Sequence, residues 1–179
     1  MQIRATSEES GQALVELSFA FVLLCVFAFG IVDFSRAVYD AQVMANLAGE
    51  GSAMASRGTD PGVAAQAVVN YAGSDVSMGT KGCVIITVVT NQSGTLAITG
   101  QATQCAAGVT ASSHVGCYTG HGCGSATLPA AARTALLAET SGSYLAVTEV
   151  FYNFNTISPI TGLLHGSLLP SQLYRVAYY

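Results

Sequence analysis

Cys83, Cys105, Cys117 and Cys123 are the residues whose type and spacing most plainly offer chemistry in this 179-residue chain. An even set of thiols in a loop-rich region behind an apolar amino terminus reads as two disulfides. Three pairings are open, and proximity favours Cys83–Cys105 with Cys117–Cys123. Each bridge would constrain a Gly- and Ser-rich stretch that has little core of its own, worth about 2–4 kcal/mol. The rival chemistry is a zinc site on His114, Cys117, His121 and Cys123, a donor mixture that zinc accepts. That spacing is not a finger spacing, and an oxidising compartment favours disulfides, so no metal and no cofactor is expected. Ser112 or Ser113 with His114 or His121 could serve a hydrolase, but no nucleophile-elbow pattern surrounds them. Gly120, Gly122 and Gly124 are spaced glycines without the leading strand and the lysine of a phosphate loop. Cys25, alone in an apolar run, reads as a small apolar filler.

Charged residues make up only 9% of the chain and hydrophobic ones 51%, the reverse of a disordered, solvating composition. The formal net charge is -4 and the one lysine is Lys81, so no basic surface exists for a nucleic acid. The length suits one domain plus a membrane element. Nothing in the pattern supports an enzyme.

The element that must position this chemistry begins at Ala13. Between Glu16 and Asp33 no residue is charged. Counted from Ala13, the apolar stretch is about 30 Å of helix, enough to cross a hydrocarbon core, and backbone pairing there demands a helix. A buried core helix and a cleaved secretory signal ending near Ala28-Phe29-Gly30 are the alternatives. The first would normally keep a polar stripe, and here only Ser18 is polar. The second would want a basic start, whereas Arg4 is followed by Glu8 and Glu9. Helical periodicity continues to Arg57-Gly58, with Ile31, Phe34, Val38, Ala41, Ala45 and Ala48 on one apolar stripe. Asp33, Arg36 and Asp40 fall three and four apart, so that they can pair on the polar side. The span from Gln12 to Arg57 corresponds to about 69 Å of helix. Glu16 is the anomaly, because a carboxylate in an apolar helix costs several kcal/mol unless it snorkels to the interface or meets a partner charge. Both readings of Glu16 stand.

Beyond Gly58 the pattern predicts an α+β head with an antiparallel sheet. Asp60 and Pro61 open a short helix over Val63–Ala72. Residues 83–90 form the clearest strand. Asn91–Gly94 make a turn into a hairpin partner at 95–99. Residues 104–127 read as loop, Pro129 opens a helix to about Glu139, and 144–152 and 173–178 are two further strands. Phe151, Tyr152, Phe154, Tyr174, Tyr178 and Tyr179 either pack on this sheet or offer a contact surface beside Arg175.

The string SGQALVELSFAFVLLCVFAFGIVDFSRAVYDAQVMANLAGEGSAMAS, Ser10 to Ser56, resembles the amino terminus of the TadE/TadG-like minor pilins, or pseudopilins, of the tight-adherence Flp-type system. In that family a short leader ends in glycine and a prepilin peptidase cuts behind it on the cytoplasmic side. Gly11 matches the residue before the cut, Gln12 the new amino terminus, and Glu16 the family's glutamate at mature position five. Asp33-Phe34 with Arg36-Ala37 matches an acidic–aromatic–x–Arg–Ala stretch, and residues 49–51 match the Gly-Glu-Gly that follows. The tail resembles the family's last module more softly, through Tyr152, Pro159, Leu163 and Leu164.

The resemblance implies a leader over 1–11, an assembly helix over 12–57 and an extracytoplasmic head over 58–179. It implies cleavage at Gly11-Gln12 and assembly contacts at Glu16, Asp33 and Arg36. The partners it implies are other pilin-like subunits, a prepilin peptidase, inner-membrane assembly machinery and the lipid bilayer. The positive-inside signal is nearly absent; the resemblance, with the cysteines of the head in support, is what places the leader in the cytoplasm. The expected protein is thus a single-pass inner-membrane subunit with its head in the periplasm or, in an assembled fibre, outside the cell. The alternative is a permanently anchored extracellular binding or adhesion module.

Overall fold

The computed structural model describes residues 7–73, 76–117, 123–157 and 170–179, with the backbone alone for 7–10. The elements run α1 (Ser7–Ser56), α2 (Pro61–Tyr71), α3 (Met78–Lys81), β1 (Gly82–Gln92), β2 (Thr95–Cys105), α4 (Ala130–Ala138), β3 (Tyr144–Asn153) and β4 (Gln172–Tyr178). Two compact units divide the chain: Met1–Val38 with Asn155–Leu169, and Tyr39–Phe154 with Pro170–Tyr179. The architecture is a long apolar amino-terminal helix followed by a small sheet-based head with two disulfides.

The second unit is built on an antiparallel sheet of order β2-β1-β3-β4. β1 is β-branched almost throughout, and Cys83 to Ile86 are fully buried without alternation. Such a run belongs to a strand covered on both faces. Register explains the two coverings. Ile86 lies opposite Thr148 and Val84 opposite Val150, while Ile85 lies opposite Glu149 and Cys83 opposite Phe151. Successive side chains point to opposite faces, so Val84, Ile86, Thr148 and Val150 share one side. On that side Gly100 of β2 sits close to Pro61 of α2, and Gly51 of α1 sits against Thr148 and Val68. The opposite side carries Val89, Val147 and Val176, packed with Leu136 of α4 and Val115.

The β1–β2 hairpin turns on Ser93 and Gly94, both with positive φ (54° and 89°), the geometry of a tight two-residue loop with native twist. Asn91 fixes that turn to α4. Its amide donates to the carbonyls of Leu136 and Glu139 and its oxygen accepts from the Gly94 N–H. β2 is an edge strand, and its first half is covered. Ala97 bridges Ser125, and the Ala126 N–H donates to Leu96 O at 3.1 Å. Covering an edge removes a template for unwanted pairing.

Asp60 caps α2 by accepting from the N–H groups of Gly62 and Val63. Asp60→Ala is expected to lower stability by about 1 kcal/mol in a urea titration, the ordinary worth of such a cap.

One expectation is corrected. The stripe Ile31, Phe34, Val38 and Ala45 is exposed, and only Ala41 and Ala48 of the six predicted positions are buried. The buried line of α1 is instead Asp33, Ala37, Asp40, Ala41, Met44, Leu47, Ala48, Gly51, Ser52 and Ala55. Toward the end of α1 this face is small, with Ala48, Gly51, Ser52 and Ala55, and at Gly51 the backbone lies close against Thr148 and Val68. Ser52 tolerates full burial since its hydroxyl donates to the Ala48 carbonyl of its own helix. Asp33 and Asp40 therefore lie on the buried side of α1 and not on an exposed polar one.

Candidate functional site

From Leu14 to Phe29 the large apolar side chains of α1 point outward. Leu14, Leu17, Phe19, Phe21, Leu24 and Phe27 are all well over half exposed. A helix that is apolar all round is normally covered by protein or lipid. It is long and apolar enough to cross a bilayer. Ser18, the polar residue within the run, returns its hydroxyl to the Leu14 carbonyl, the pairing that an apolar environment would require. Cys25 is a free, half-buried thiol.

The residues expected at the leader cut lie at the start of this surface. Gly11 is exposed, with open space where a Cβ would stand. Gln12 and Glu16 are one turn apart, and the Gln12 amide donates to Glu16 Oε1 at 3.2 Å. The carboxylate is thus on the same helical face as the position that cleavage would convert to an amine. At the other end of the run Asp33 is buried and Arg36 half-buried, and Asp33 Oδ1 accepts from the Ile157 N–H at 3.0 Å.

In the head the cysteines are joined as Cys83–Cys105, across the β1–β2 pair, and Cys117–Cys123. Cys117 and Cys123 are consumed by each other, which leaves no thiolate for the zinc alternative. His121, Gly120 and Gly122 lie outside the described residues, as do Pro159, Leu163 and Leu164 of the tail. Among the described residues no three His, Cys, Asp or Glu side chains gather as a metal cage.

A polar cluster that sequence reasoning missed centres on Glu149. This carboxylate is 0% exposed in the middle of β3. It accepts from the Ser113 hydroxyl, from the His114 backbone N–H at 2.8 Å and from the Tyr174 hydroxyl at 3.1 Å. His114 Nδ1 stands 3.3 Å from the same carboxylate, its ring packed on Tyr174 and itself 64% exposed. Serine and histidine both address the carboxylate and not each other, so the order needed for a nucleophile is absent. The arrangement pins the 113–115 loop to the sheet. Burial pushes the Tyr174 phenol well above its ordinary value of 10.0, and the Glu149 charge adds to the effect. Tyr178 is raised for the same two reasons. A glutamate alternating with Val147 and Phe151 inside a strand was the available signal. Phe151, Tyr152 and Phe154 are buried and pack, which answers for them the choice between packing and contact surface; Tyr179 alone of the tail aromatics is largely exposed.

Residues 11–52 match the model of the family described as TadE-like protein. No curated protein and no solved structure matches the chain. The matched stretch begins at the exposed glycine, contains the whole outward-facing apolar surface with Glu16 and Asp33, and ends on the small-residue face against the sheet. Over residues 11–52, and there only, the chain is thus similar to the TadE-like protein family.

Proposed function

We propose that this protein is a pilin-like structural subunit of a tight-adherence-type pilus or secretion machinery. It is inserted in the inner membrane by α1, released from its leader between Gly11 and Gln12, and assembled through the helix so freed. The observation that carries this reading is a coincidence of position. The family match starts at Gly11, the glycine stands exposed at the head of a helix that is apolar all round, and one carboxylate, Glu16, follows on the face of Gln12.

The chemistry runs as follows. α1 is continuous through Gly11, so a peptidase must unwind it there, and glycine is the residue whose helix costs least to open apart from proline. Hydrolysis of the Gly11–Gln12 peptide leaves a protonated amine on Gln12. Glu16 of a neighbouring subunit is then its partner in apolar surroundings. Two such ions stabilise only together, because either one alone is stranded at a cost of several kcal/mol. The pair thereby sets register between subunits, with Arg36 farther along the helix as a second polar contact. The partners in this reading are other pilin-like subunits, a prepilin peptidase, inner-membrane assembly machinery and lipid, with the head in the periplasm or on the outside of a fibre. Residues 1–11 are the leader, 12–57 the assembly helix and 58–179 the head.

Intact-mass and amino-terminal analysis of the membrane fraction tests it. The mature chain is expected to begin at Gln12, and Gly11→Leu is expected to leave the full-length chain. A mature start near Ile31 would point to an ordinary signal sequence, and an intact Met1 in the wild type to a permanently anchored binding module.

A further inference from the structure

Asp33 is the first charged residue after sixteen uncharged ones, Leu17 to Val32. A carboxylate at that point has two contrasting uses. It can face outward, as a charge for headgroups or for a neighbouring subunit, or it can turn inward and serve its own chain. The two uses demand different surroundings and different chemistry.

Asp33 is 4% exposed, while Val32 and Phe34 on either side of it are 52% and 61% exposed. Its burial is therefore directional and local. One partner is a backbone group far away in sequence: the Ile157 N–H donates to Asp33 Oδ1 at 3.0 Å across 124 residues. Ile157 itself is 70% exposed, so packing of its side chain does not hold the chain there. What joins the two is a hydrogen bond from a backbone donor to a charged acceptor, a stronger class than the neutral kind. Asp33 and Ile157 belong to the same compact unit. A subunit that used this carboxylate would first have to uncover it.

We infer that Asp33 is an intramolecular clamp. It is a positioning residue that fastens Asn155–Ile157, the start of the β3–β4 connection, to α1 immediately beyond the apolar run. The carboxylate acts there as a hydrogen-bond acceptor and not as a charge offered to another subunit. This parts Asp33 from Glu16, whose side chain is exposed and, among the described residues, accepts from Gln12 of its own helix. The inference holds whether or not the chain is a pilin.

Asparagine and alanine separate the alternatives. Asp33→Asn keeps an oxygen at the same place and removes the charge, whereas Asp33→Ala removes both. The readout is native-state hydrogen exchange of the Ile157 amide in the full chain held in lipid nanodiscs, with the β1 amides as internal reference. Asp33→Ala is expected to speed exchange at Ile157 at least tenfold, Asp33→Asn less than threefold, with β1 unchanged in both. Unchanged exchange at Ile157 in Asp33→Ala overturns the clamp. So does an asparagine variant as fast as alanine, since charge would then be the operative property. Loss of β1 protection overturns it as well, by showing a general role in folding. None of these outcomes depends on leader cleavage or assembly, which are read separately by amino-terminal analysis.

Discussion

Glu149→Leu is expected to destabilise the sheet unit by about 2–4 kcal/mol in chemical denaturation of the full chain in detergent. Leucine fits the volume, but three donors lose their acceptor: the Ser113 and Tyr174 hydroxyls and the His114 N–H. Hydrogen bonds to a charged group are worth about 1.5–3 kcal/mol each, and an orphaned buried donor costs about 1–3. The sum is not reached for two reasons. The Ser113 and Tyr174 hydroxyls can rotate toward other acceptors, and removing a buried carboxylate also removes its desolvation cost. The backbone N–H of His114 cannot turn away, so it sets the floor. Glu149→Gln keeps one oxygen for that N–H and should cost roughly half as much. If Glu149→Leu were neutral, the carboxylate would not be what holds the 113–115 loop.

The same cluster gives a pH dependence with a definite sign. The folded-state Tyr174 phenol is raised above its ordinary 10.0 by burial and by the Glu149 charge. The unfolded chain therefore ionises this tyrosine first. The contribution of Tyr174 is fully present below pH 10 and is lost as pH rises above it. Glu149→Gln, by removing the charge, should make that alkaline loss shallower relative to its own value at pH 8.

Gly51→Val is expected to cost about 2–3 kcal/mol, whereas Gly49→Ala, two residues away, should stabilise by about 0.5–1 kcal/mol. A Cβ at Gly51 would meet both Thr148 side-chain atoms at 2.9 Å and Val68 Cγ2 at 3.0 Å, and all three belong to short, stiff, buried residues. They cannot swing aside, so α1 must move off the sheet. At Gly49 nothing lies within 4 Å, and the helix gains only the propensity that glycine withholds. Thermal melts of the two variants side by side provide the check. Equal effects would show that the helix does not press on β3 at Gly51.

Much of this molecule is written in local pattern. The apolar run of α1, the β-branched run of β1, the Asn91–Gly94 turn, the Asp60 cap and the last two strands each follow from residue type and spacing, because helix and strand periods and turn dihedrals are short-range constraints. The cysteines that could pair were visible for the same reason. Which face of α1 is buried was not visible. Hydrophobicity marked Ile31, Phe34, Val38 and Ala45 together with Ala41 and Ala48, whereas the fold leaves the first four exposed and buries Gly51, since closeness of approach there depends on the opposing surface, Thr148 and Val68. Glu149 and Asp33 were equally opaque. A charged residue is tolerated inside only where distant donors converge, and those donors, at Ser113, His114, Tyr174 and Ile157, are brought there by strand register and chain return. Sequence by itself determined a long apolar helix joined to an α+β head; tertiary structure alone decided which side of that helix is given to the head and which carboxylates are turned inward, because both depend on partners distant in sequence.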